Sequence, residues 1–301
     1  MIVKPDDDGQ RLDRFLKKNF PHIAFGAMQK LLRTGQVRVD GKRAKGETRL
    51  EKGQELRLTP ILSNKQVYEK TSDAKDKAYI QSLVIFEDED LVVINKPAGL
   101  AVQGGSGITK HVDGMLDGLA GENGVRPRLV HRLDKDTSGV LLLARSAEVA
   151  RRLSEAFAGR DVQKIYWALT SPAPKKDKGR IDAPLAKGES GPAMEKMLMD
   201  DEIGKSSITD YEVLEKAETA ALVAFHPLTG RTHQIRVHAS IIDAPLWGDE
   251  KYGGAKGKTF FLHARELVLE HPKKGGNLRL SAPLPTAFEA HALTLGLTLP
   301  E

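Results

Sequence analysis

The chain of 301 residues contains no cysteine. This excludes disulfide bonds, zinc sites with thiolate ligands, iron–sulfur clusters and every enzyme that uses a thiolate nucleophile. The chain also lacks an apolar run approaching the roughly 20 residues that a membrane helix needs. Its first ten residues, MIVKPDDDGQ, are too acidic and too polar for a secretory signal peptide. We therefore expect a cytoplasmic protein that does not insert into a membrane.

Positive charge is concentrated near the N-terminus. Residues 1–60 hold 14 Lys and Arg against 8 Asp and Glu, a net charge of +6, whereas the rest of the chain holds 32 against 33. Such an asymmetry is typical of a module that binds a polyanion, joined to a nearly neutral body.

Two short helices and a hairpin are predicted in this basic part. Apolar residues recur at helical spacing in RLDRFLKKNF and FGAMQKLLRTG, and QVRVDGKRAKG alternates apolar and polar residues around an Asp-Gly turn. This order of elements resembles the small RNA-binding module with the alpha-L, or S-four-like, fold. The resemblance implies an RNA-binding domain over residues 1–60. Its candidate RNA-binding residues are Lys17, Lys18, Lys30, Arg33, Arg38, Lys42 and Arg43.

The following segment, residues 61–80, is polar and mixed in charge, which predicts a linker. Over residues 81–301 short apolar segments typical of strands outnumber the helical ones. One helix is clearly marked, with Ser146 as its N-cap and Gly159 near its end. We therefore expect an α+β domain with a mixed, largely antiparallel central sheet.

A cluster of charged residues interrupts the apolar stretch LVHRLDKDTSGVLLLARS, residues 129–146. It has the oxygen spacing that opens a calcium loop, but Arg145 stands where such a loop needs a glutamate. The nine histidines show no spacing typical of a metal site, so we expect no bound metal. The cluster is then either a solvated loop or a site of another kind.

A second charged segment, HPLTGRTHQIRVHAS, spans residues 226–240. A helix that starts near Thr232 would place His233, Arg236, Val237 and Ser240 on one face. Burying an arginine on such a face is costly unless it meets a carboxylate. The alternative is an amphipathic helix whose arginine lies in solvent.

These segments together resemble the RluA-type family of pseudouridine synthases. The motifs HRLDKDTSG, GRTHQIRVH, EDEDLVVINKPAGLAV, GDEKYGG and LHARELVLEHP all fit the family, over about residues 83–290. With the basic N-terminal module, they are most similar to the branch that acts on large-subunit (23S) ribosomal RNA. The resemblance implies site-specific isomerisation of uridine to pseudouridine in RNA, a reaction that needs neither cofactor nor metal.

The resemblance also implies roles for individual residues. Asp134 would be the catalytic aspartate, acting on ribose C1′ or its neighbouring proton, as nucleophile or as base. Arg236 would pair with Asp134, and Tyr166 would pack against the uracil. The further candidates for contacts with the substrate are Arg132, His131, Arg231, His233 and Gln234.

Two other functions remain open at this point. One is an RNA-binding or ribosome-assembly protein with the same fold and little or no catalysis. The other is a hydrolase of glycosidic bonds, which needs a second carboxylate about 5–10 Å from the first; Asp136 is the near candidate in sequence. We expect a monomer whose partner is ribosomal RNA, either free or in an assembling large subunit.

Overall fold

The computed structural model describes residues 1–20, 23, 25–58, 74–105, 108–121, 124–188, 196–257 and 260–300. The chain forms two compact units, a small N-terminal one and a large one that begins at Ala74. Within the described ranges, no helix has both the length and the apolar character needed to cross a lipid bilayer.

The small unit packs two helices against a three-stranded antiparallel sheet of strand order β2-β1-β3. Both predicted helices and the predicted hairpin are confirmed. Asp40 and Gly41 form the turn with positive φ angles of 48° and 73°, as a tight hairpin turn requires. In chain order the elements are α1 (Leu12–Asn19), α2 (Phe25–Arg33), β1 (Val37–Val39), β2 (Lys42–Arg43) and β3 (Leu56–Leu58).

The large unit is built around one ten-stranded sheet, accompanied by a separate β10–β11 hairpin. The described helices of this unit are α3 (Ala74–Ser82), α4 (Val112–Met115), α5 (Ala147–Gly159), α6 (Gln234–Ile241) and α7 (Thr286–Thr294). The described strands are β4 (Val84–Glu87), β5 (Leu91–Lys96), β6 (Arg128–Leu129), β7 (Ser138–Ala144), β8 (Gln163–Thr170), β9 (Lys178–Asp182), β10 (Leu185–Lys187), β11 (Met197–Met199), β12 (Ile208–Lys216), β13 (Ala221–Pro227), β14 (Leu262–Glu270) and β15 (Asn277–Ser281).

The main sheet has the order β4-β5-β7-β14-β8-β13-β12-β9, with β15 paired to β14 and β6 to β7. Its described pairs are antiparallel except β7 with β14, which run parallel. The predicted mixed, largely antiparallel sheet is therefore confirmed. Strand β14 lies between β7 and β8, so it joins the two halves of the sheet.

The β7–β14 crossing depends on a glycine. Gly139 has φ = +113°, and a Cβ atom there would lie 2.2 Å from the carbonyl oxygen of Ala264. No side chain fits this approach, so glycine is required where β7 leaves the charged loop. Every residue of β7 is buried. This burial explains the unbroken apolar run VLLLA, which follows Gly139 within the strand.

The structure differs from the predicted linker at its C-terminal end. Residues 74–80 belong to α3, and Ile80 is completely buried in an apolar cluster with Val92 and Ile94. A helix that contributes one fully buried residue has no apolar periodicity, which is why the sequence pattern indicated a linker there. The part of the predicted linker between residues 61 and 73 lies outside the described residues.

The predicted helix with a buried arginine is confirmed as α6, although it starts two residues later than predicted. It begins at Gln234, after His233 in a left-handed conformation with φ = +55°. All residues from Gln234 to Ala239 are buried. The helix is therefore embedded in the unit rather than amphipathic, which places Arg236 inside the protein.

Candidate active site

The charged loop between β6 and β7 is held by backbone hydrogen bonds. The Thr137 N–H donates to the Asp134 carbonyl at 3.2 Å, which makes a turn, and the Gly99 N–H donates to the Lys135 carbonyl at 2.9 Å. The Asp134 side chain is 26% exposed, at the edge of a cavity of about 480 Å³ that it lines. The loop thus presents one half-buried carboxylate to an open cavity.

Lys96 also holds this loop in place, through a hydrogen bond to the Lys135 carbonyl. This role of Lys96 was not predicted from the sequence. Its ammonium group is fully buried and donates to the carbonyls of Pro97, Leu100 and Lys135 at 2.9, 2.8 and 3.0 Å. Burial lowers the pKa of Lys96 to about 8, against the opposing effect of the Asp136 and Asp134 carboxylates. The sequence NKPAG is typical of a turn, and a lysine next to a turn is expected to be exposed to solvent. The burial of Lys96 was therefore not predictable from the pattern.

Tyr166 lies on β8, lines the same cavity and packs against two apolar clusters of the core. Burial, followed by the negative charge of Asp134, raises the pKa of Tyr166 well above its usual value. The phenol therefore stays protonated and can donate a hydrogen bond into the cavity. The structure brings Tyr166 and Asp134 together as the resemblance implied.

The predicted pairing of Arg236 with Asp134 is wrong. The guanidinium group of Arg236 instead makes two parallel hydrogen bonds to Asp249, at 2.7 and 2.6 Å. The side chains of Arg236 and Asp249 are 10% and 1% exposed. The rings of Tyr252 and Phe260 each lie 4.9 Å from the guanidinium carbon.

This pair fixes the charge of Arg236. Burial disfavours the charge, but the bonds to Asp249 outweigh it, so the pKa of Arg236 is raised; Asp134 adds a smaller effect in the same direction. Arg236 therefore interacts with Asp134 by long-range electrostatics and not by a hydrogen bond or ion pair. Sequence reasoning identified a buried arginine that needs a carboxylate but did not identify Asp249.

His233 is the basic group that lies beside Asp134. Its Nε2 is 4.0 Å from a carboxylate oxygen of Asp134, and its Nδ1 is 2.7 Å from the Tyr252 hydroxyl. That hydroxyl accepts a hydrogen bond from the Met197 N–H at 2.9 Å, which leaves its own proton for Nδ1 of His233. Burial lowers the pKa of His233. When the Tyr252 hydroxyl donates to Nδ1 of the neutral ring, the ring proton lies on Nε2, the nitrogen nearest Asp134.

The amide of Gln234 is held by hydrogen bonds inside the protein. Its side-chain oxygen accepts from Thr229 and Arg231, and its nitrogen donates to Ile208 and Thr209, over distances of 2.7–3.0 Å. The amide thereby makes all four of its hydrogen bonds inside the protein. In the structure Gln234 anchors the turn before α6, and it also belongs to the cavity lining. Its contact with RNA stays a prediction.

His131 is a neutral wall of the cavity. Its Nε2 accepts a hydrogen bond from the Leu142 N–H at 2.8 Å, and its ring stacks on Phe157 at 4.6 Å. Burial, with a smaller effect from Lys164, lowers the pKa of His131 to about 3. The residue therefore shapes the cavity without adding charge to it.

Positive charge dominates the described lining of the cavity. Asp134 is its one carboxylate, whereas the cations Arg132, Arg160, Lys164 and Arg231 accompany the paired Arg236. Arg132 and Arg231 are exposed at the rim, as expected for residues that contact a large anion. Asp136 is exposed and is not part of this lining.

The basic residues predicted to bind RNA in the small unit lie on its surface. Six of them are exposed and form no ion pair with a described residue; the side chain of Lys18 lies outside the described part. Arg38 is held by the hairpin, since its guanidinium donates to the carbonyls of Gly35 and Gly41 at 3.3 and 3.1 Å. The six exposed residues are Lys17, Lys30, Arg33, Arg38, Lys42 and Arg43.

Comparisons with known proteins place the chain in one family. Residues 90–240 match the model of a family described as RNA pseudouridylate synthase. Ribosomal large subunit pseudouridine synthase C of Salmonella typhimurium is 37% identical over 308 residues, covering 96% of this chain and 94% of the relative. The protein of the same name from Escherichia coli K12 is 36% identical, covering 94% and 92%.

A solved structure is similar as well. Human RNA Pseudouridylate Synthase Domain Containing 4 superimposes with a TM-score of 0.65 at 30% sequence identity. The superposition covers 76% of this chain and 99% of the human chain.

Proposed function

Because the chain belongs to the RNA pseudouridylate synthase family, we propose that it isomerises uridine to pseudouridine in large-subunit ribosomal RNA, with Asp134 as its catalytic carboxylate. The observation that carries this proposal is that Asp134 is the one carboxylate in the described lining of a cationic cavity. Relatives at 36–37% identity bear the name of large-subunit pseudouridine synthases, which supports the substrate.

The chemistry fits a site with few catalytic groups. The bond from ribose C1′ to uracil N1 breaks, the base turns, C5 bonds to C1′, and the proton of C5 is lost while N1 gains one. The net reaction neither oxidises nor hydrolyses the nucleotide. Asp134 acts as nucleophile at C1′ or as base toward the neighbouring proton, and both roles need a carboxylate in contact with the ribose.

The neighbours of Asp134 suit the freed uracil. The phenol of Tyr166 and the imidazole of His233 both line the cavity with Asp134. The raised pKa of Tyr166 keeps its phenol protonated, and a neutral His233 with its proton on Nε2 offers a second donor. A uracil that has lost its glycosidic bond carries negative charge, which such donors stabilise. Arg236 and Asp249 form a pair with no net charge, and its guanidinium group is the part that belongs to the described cavity lining.

The target base must leave the stacked RNA before reaction, at a cost of a few kcal/mol. Arg132 lies two residues before Asp134 and is exposed at the cavity rim, where it can occupy the vacated position or hold the backbone. In this proposal the residues of 1–60 form an S-four-like RNA-binding domain, joined by the segment after residue 60 to the catalytic domain. Its exposed cations supply phosphate contacts.

Ribosomal RNA as substrate argues for action in the cytoplasm. The proposed catalytic residues line one cavity of this chain, so the proposal of a monomer requires no residue from a second subunit. The hydrolase alternative is disfavoured because Asp136, its second carboxylate, is exposed and outside the described cavity lining. A protein that only binds RNA would have no need for a half-buried carboxylate opposed to a protonated phenol.

The test uses large-subunit RNA transcribed with tritium at uracil C5, since isomerisation releases that tritium. Asp134→Asn is expected to lower the rate of release by ~10³-fold or more, because the amide is neither nucleophile nor base. The matched control, Asp136→Asn, removes the other carboxylate of the loop and should retain turnover.

Two results would contradict the proposal. Wild-type turnover by Asp134→Asn would remove the catalytic role of this residue. Release of free uracil, detected as a loss of RNA mass, would indicate a hydrolase, because isomerisation leaves the mass of the RNA unchanged.

A further inference from the structure

We propose that Lys164 and Arg160 form a phosphate-binding subsite in the catalytic cavity, which holds a phosphodiester of the RNA strand next to the target uridine. The inference rests on the proposed function, since it assigns a role to the cations beside the same catalytic groups. It adds a substrate-positioning site that is separate from the residues around Asp134.

The position of Lys164 is set by its strand. It lies two residues before Tyr166 on β8, so both side chains project from the same face of the sheet, about 7 Å apart along the strand. Both line the cavity. A nucleotide whose base lies against Tyr166 therefore has its flanking backbone within reach of the Lys164 ammonium group.

Arg160 is placed by the end of α5. It is the C-cap residue, with φ = +71°, and its N–H donates to the carbonyl of Ala156. The helix thus ends at the cavity, and the exposed Arg160 side chain contributes to its lining. Lys164 follows after a short connection, so one helix end and one strand start bring the two cations together.

These cations have no counter-ion among the described residues. Neither forms an ion pair within 4.0 Å, although Asp161 is adjacent to Arg160 in sequence. The Asp161 carboxylate lies instead against the Cα of Gly159, where a Cβ atom would be 2.7 Å from it. Asp134 is the one carboxylate in the described lining.

Lys164 is also partly buried. Burial and then the charge of Arg160 lower its pKa, with no carboxylate opposing them. The groups that face it are Arg160 and the neutral His131, whose ring stacks on Phe157. Desolvation and the nearby positive charge of Arg160 both raise the free energy of the charged form of Lys164, so this position is unfavourable for a lysine without an anion beside it.

A bound phosphate group would supply the negative charge that Lys164 and Arg160 lack among the described residues. Arginine and lysine both form strong, charge-assisted hydrogen bonds to phosphate oxygens. The cavity is open to a strand whose target base has been extruded, and every nucleotide of that strand carries one phosphodiester. The subsite would then fix the register of the strand, so that one base alone reaches Asp134.

The experiment measures steady-state tritium release from large-subunit RNA by Lys164→Gln and Arg160→Gln over a range of salt concentrations. Each variant is expected to raise KM by ~10-fold with little change in kcat, since it loses a charged hydrogen bond that is made equally before and during reaction. Each should also reduce the slope of log(kcat/KM) against log salt by ~0.7, the value for one phosphate contact on a single strand.

Two further variants are controls. Lys178→Gln removes an exposed lysine on β9 outside the described cavity lining, and should match the wild type. Lys164→Arg retains the charge and should keep the salt slope of the wild type. If Lys164→Gln fails to fold, as thermal denaturation would reveal, the exposed Arg160→Gln carries the test alone.

The subsite is refuted if both Gln variants behave like Lys178→Gln, or if kcat falls while KM and the salt slope stay unchanged. Binding of the same RNA, followed by fluorescence anisotropy, separates this outcome from failure of the proposed function. A wild type that binds RNA without isomerising it would refute the function, whereas the salt slopes of binding would still test the subsite.

Discussion

His263 lies in the core of the large unit, and its two ring nitrogens have different partners. Nε2 donates to the carbonyl of Ala282 at 3.2 Å, so Nδ1 of the neutral ring accepts from the Ser138 hydroxyl at 2.8 Å. Burial lowers the pKa of His263 to about 4. Because Ser138 is the first residue of β7 after the charged loop, this hydrogen bond secures the strand that follows the loop.

This histidine makes the free energy of unfolding depend on pH. In the unfolded chain His263 binds a proton as the pH falls below its usual pKa of about 6.5, whereas in the folded protein it binds one only near pH 4. The free energy of unfolding therefore decreases as the pH falls from about 6.5 to about 4. The loss is about 3 kcal/mol for a shift of this size. His131 adds a similar loss.

We expect His263→Gln, which keeps a donor toward Ala282, to lose less stability than the wild type between pH 6.5 and pH 4. Urea denaturation at four pH values in this range measures the difference. Identical pH slopes for the two proteins would show that His263 is not the group responsible.

At this scale the motifs predicted part of the site. Asp134 and Tyr166 were placed by the resemblance, and the structure brings both to one cavity. The partner of Arg236 was not predictable, because a buried arginine requires a carboxylate without specifying which one. Asp249 lies 13 residues away in GDEKYGG, a loop without periodicity, and contact through such a loop leaves no pattern in the sequence.

At the scale of elements, the crossing of β7 and β14 sets the strongest local constraint. Gly139 combines a positive φ with a backbone approach that excludes any side chain. Gly99 offers a comparison, because its φ is +84° but a Cβ atom there would meet nothing within 4 Å.

Substituting alanine at the two glycines separates strain from collision. Gly99→Ala should cost about 1–2 kcal/mol of stability, the usual penalty for a left-handed conformation. Gly139→Ala should cost more, since the strands must also separate. It should also lower activity, because the charged loop with the proposed catalytic Asp134 directly precedes β7. Denaturant unfolding and tritium release measure both. Equal losses in the two variants would contradict this account of the crossing.

Elements with apolar runs were the most predictable. VLLLA and KIYWALT form the central strands β7 and β8, and the Ser146 hydroxyl caps α5 by accepting the Val149 N–H at 3.2 Å. Helix α3 was missed, because the one residue it buries completely, Ile80, gives no repeating pattern. An element can be predicted from apolar periodicity only when it buries several residues on one face.

At the scale of the whole molecule, the excess positive charge lies in the small unit, while the proposed catalytic residue Asp134 and its cavity lie in the large one. Lys30 and Arg33 are exposed cations on α2. They have no ion pair with a residue in the described ranges. Their side chains are therefore available to RNA phosphates.

We expect the double variant Lys30→Gln and Arg33→Gln to reduce the salt slope of RNA binding by ~1.4, two phosphate contacts on a single strand. The matched control replaces two exposed lysines of the large unit, Lys176 and Lys178, with glutamine. Fluorescence anisotropy at increasing salt measures both. An equal change in the two proteins would mean that the small unit has no special part in binding.

Among the described strands, β14 alone connects the two halves of the main sheet, and β15 is the one strand that follows it in chain order. Its contact with the catalytic loop strand joins positions 125 residues apart. On a translating ribosome, β7 and β8 therefore have no common neighbour until most of the polypeptide has been synthesised, and contacts of such long range form slowly. Strands β7 and β8 can therefore join into one sheet only after β14 has been synthesised, whereas the elements of the N-terminal unit are close in sequence and can pair earlier.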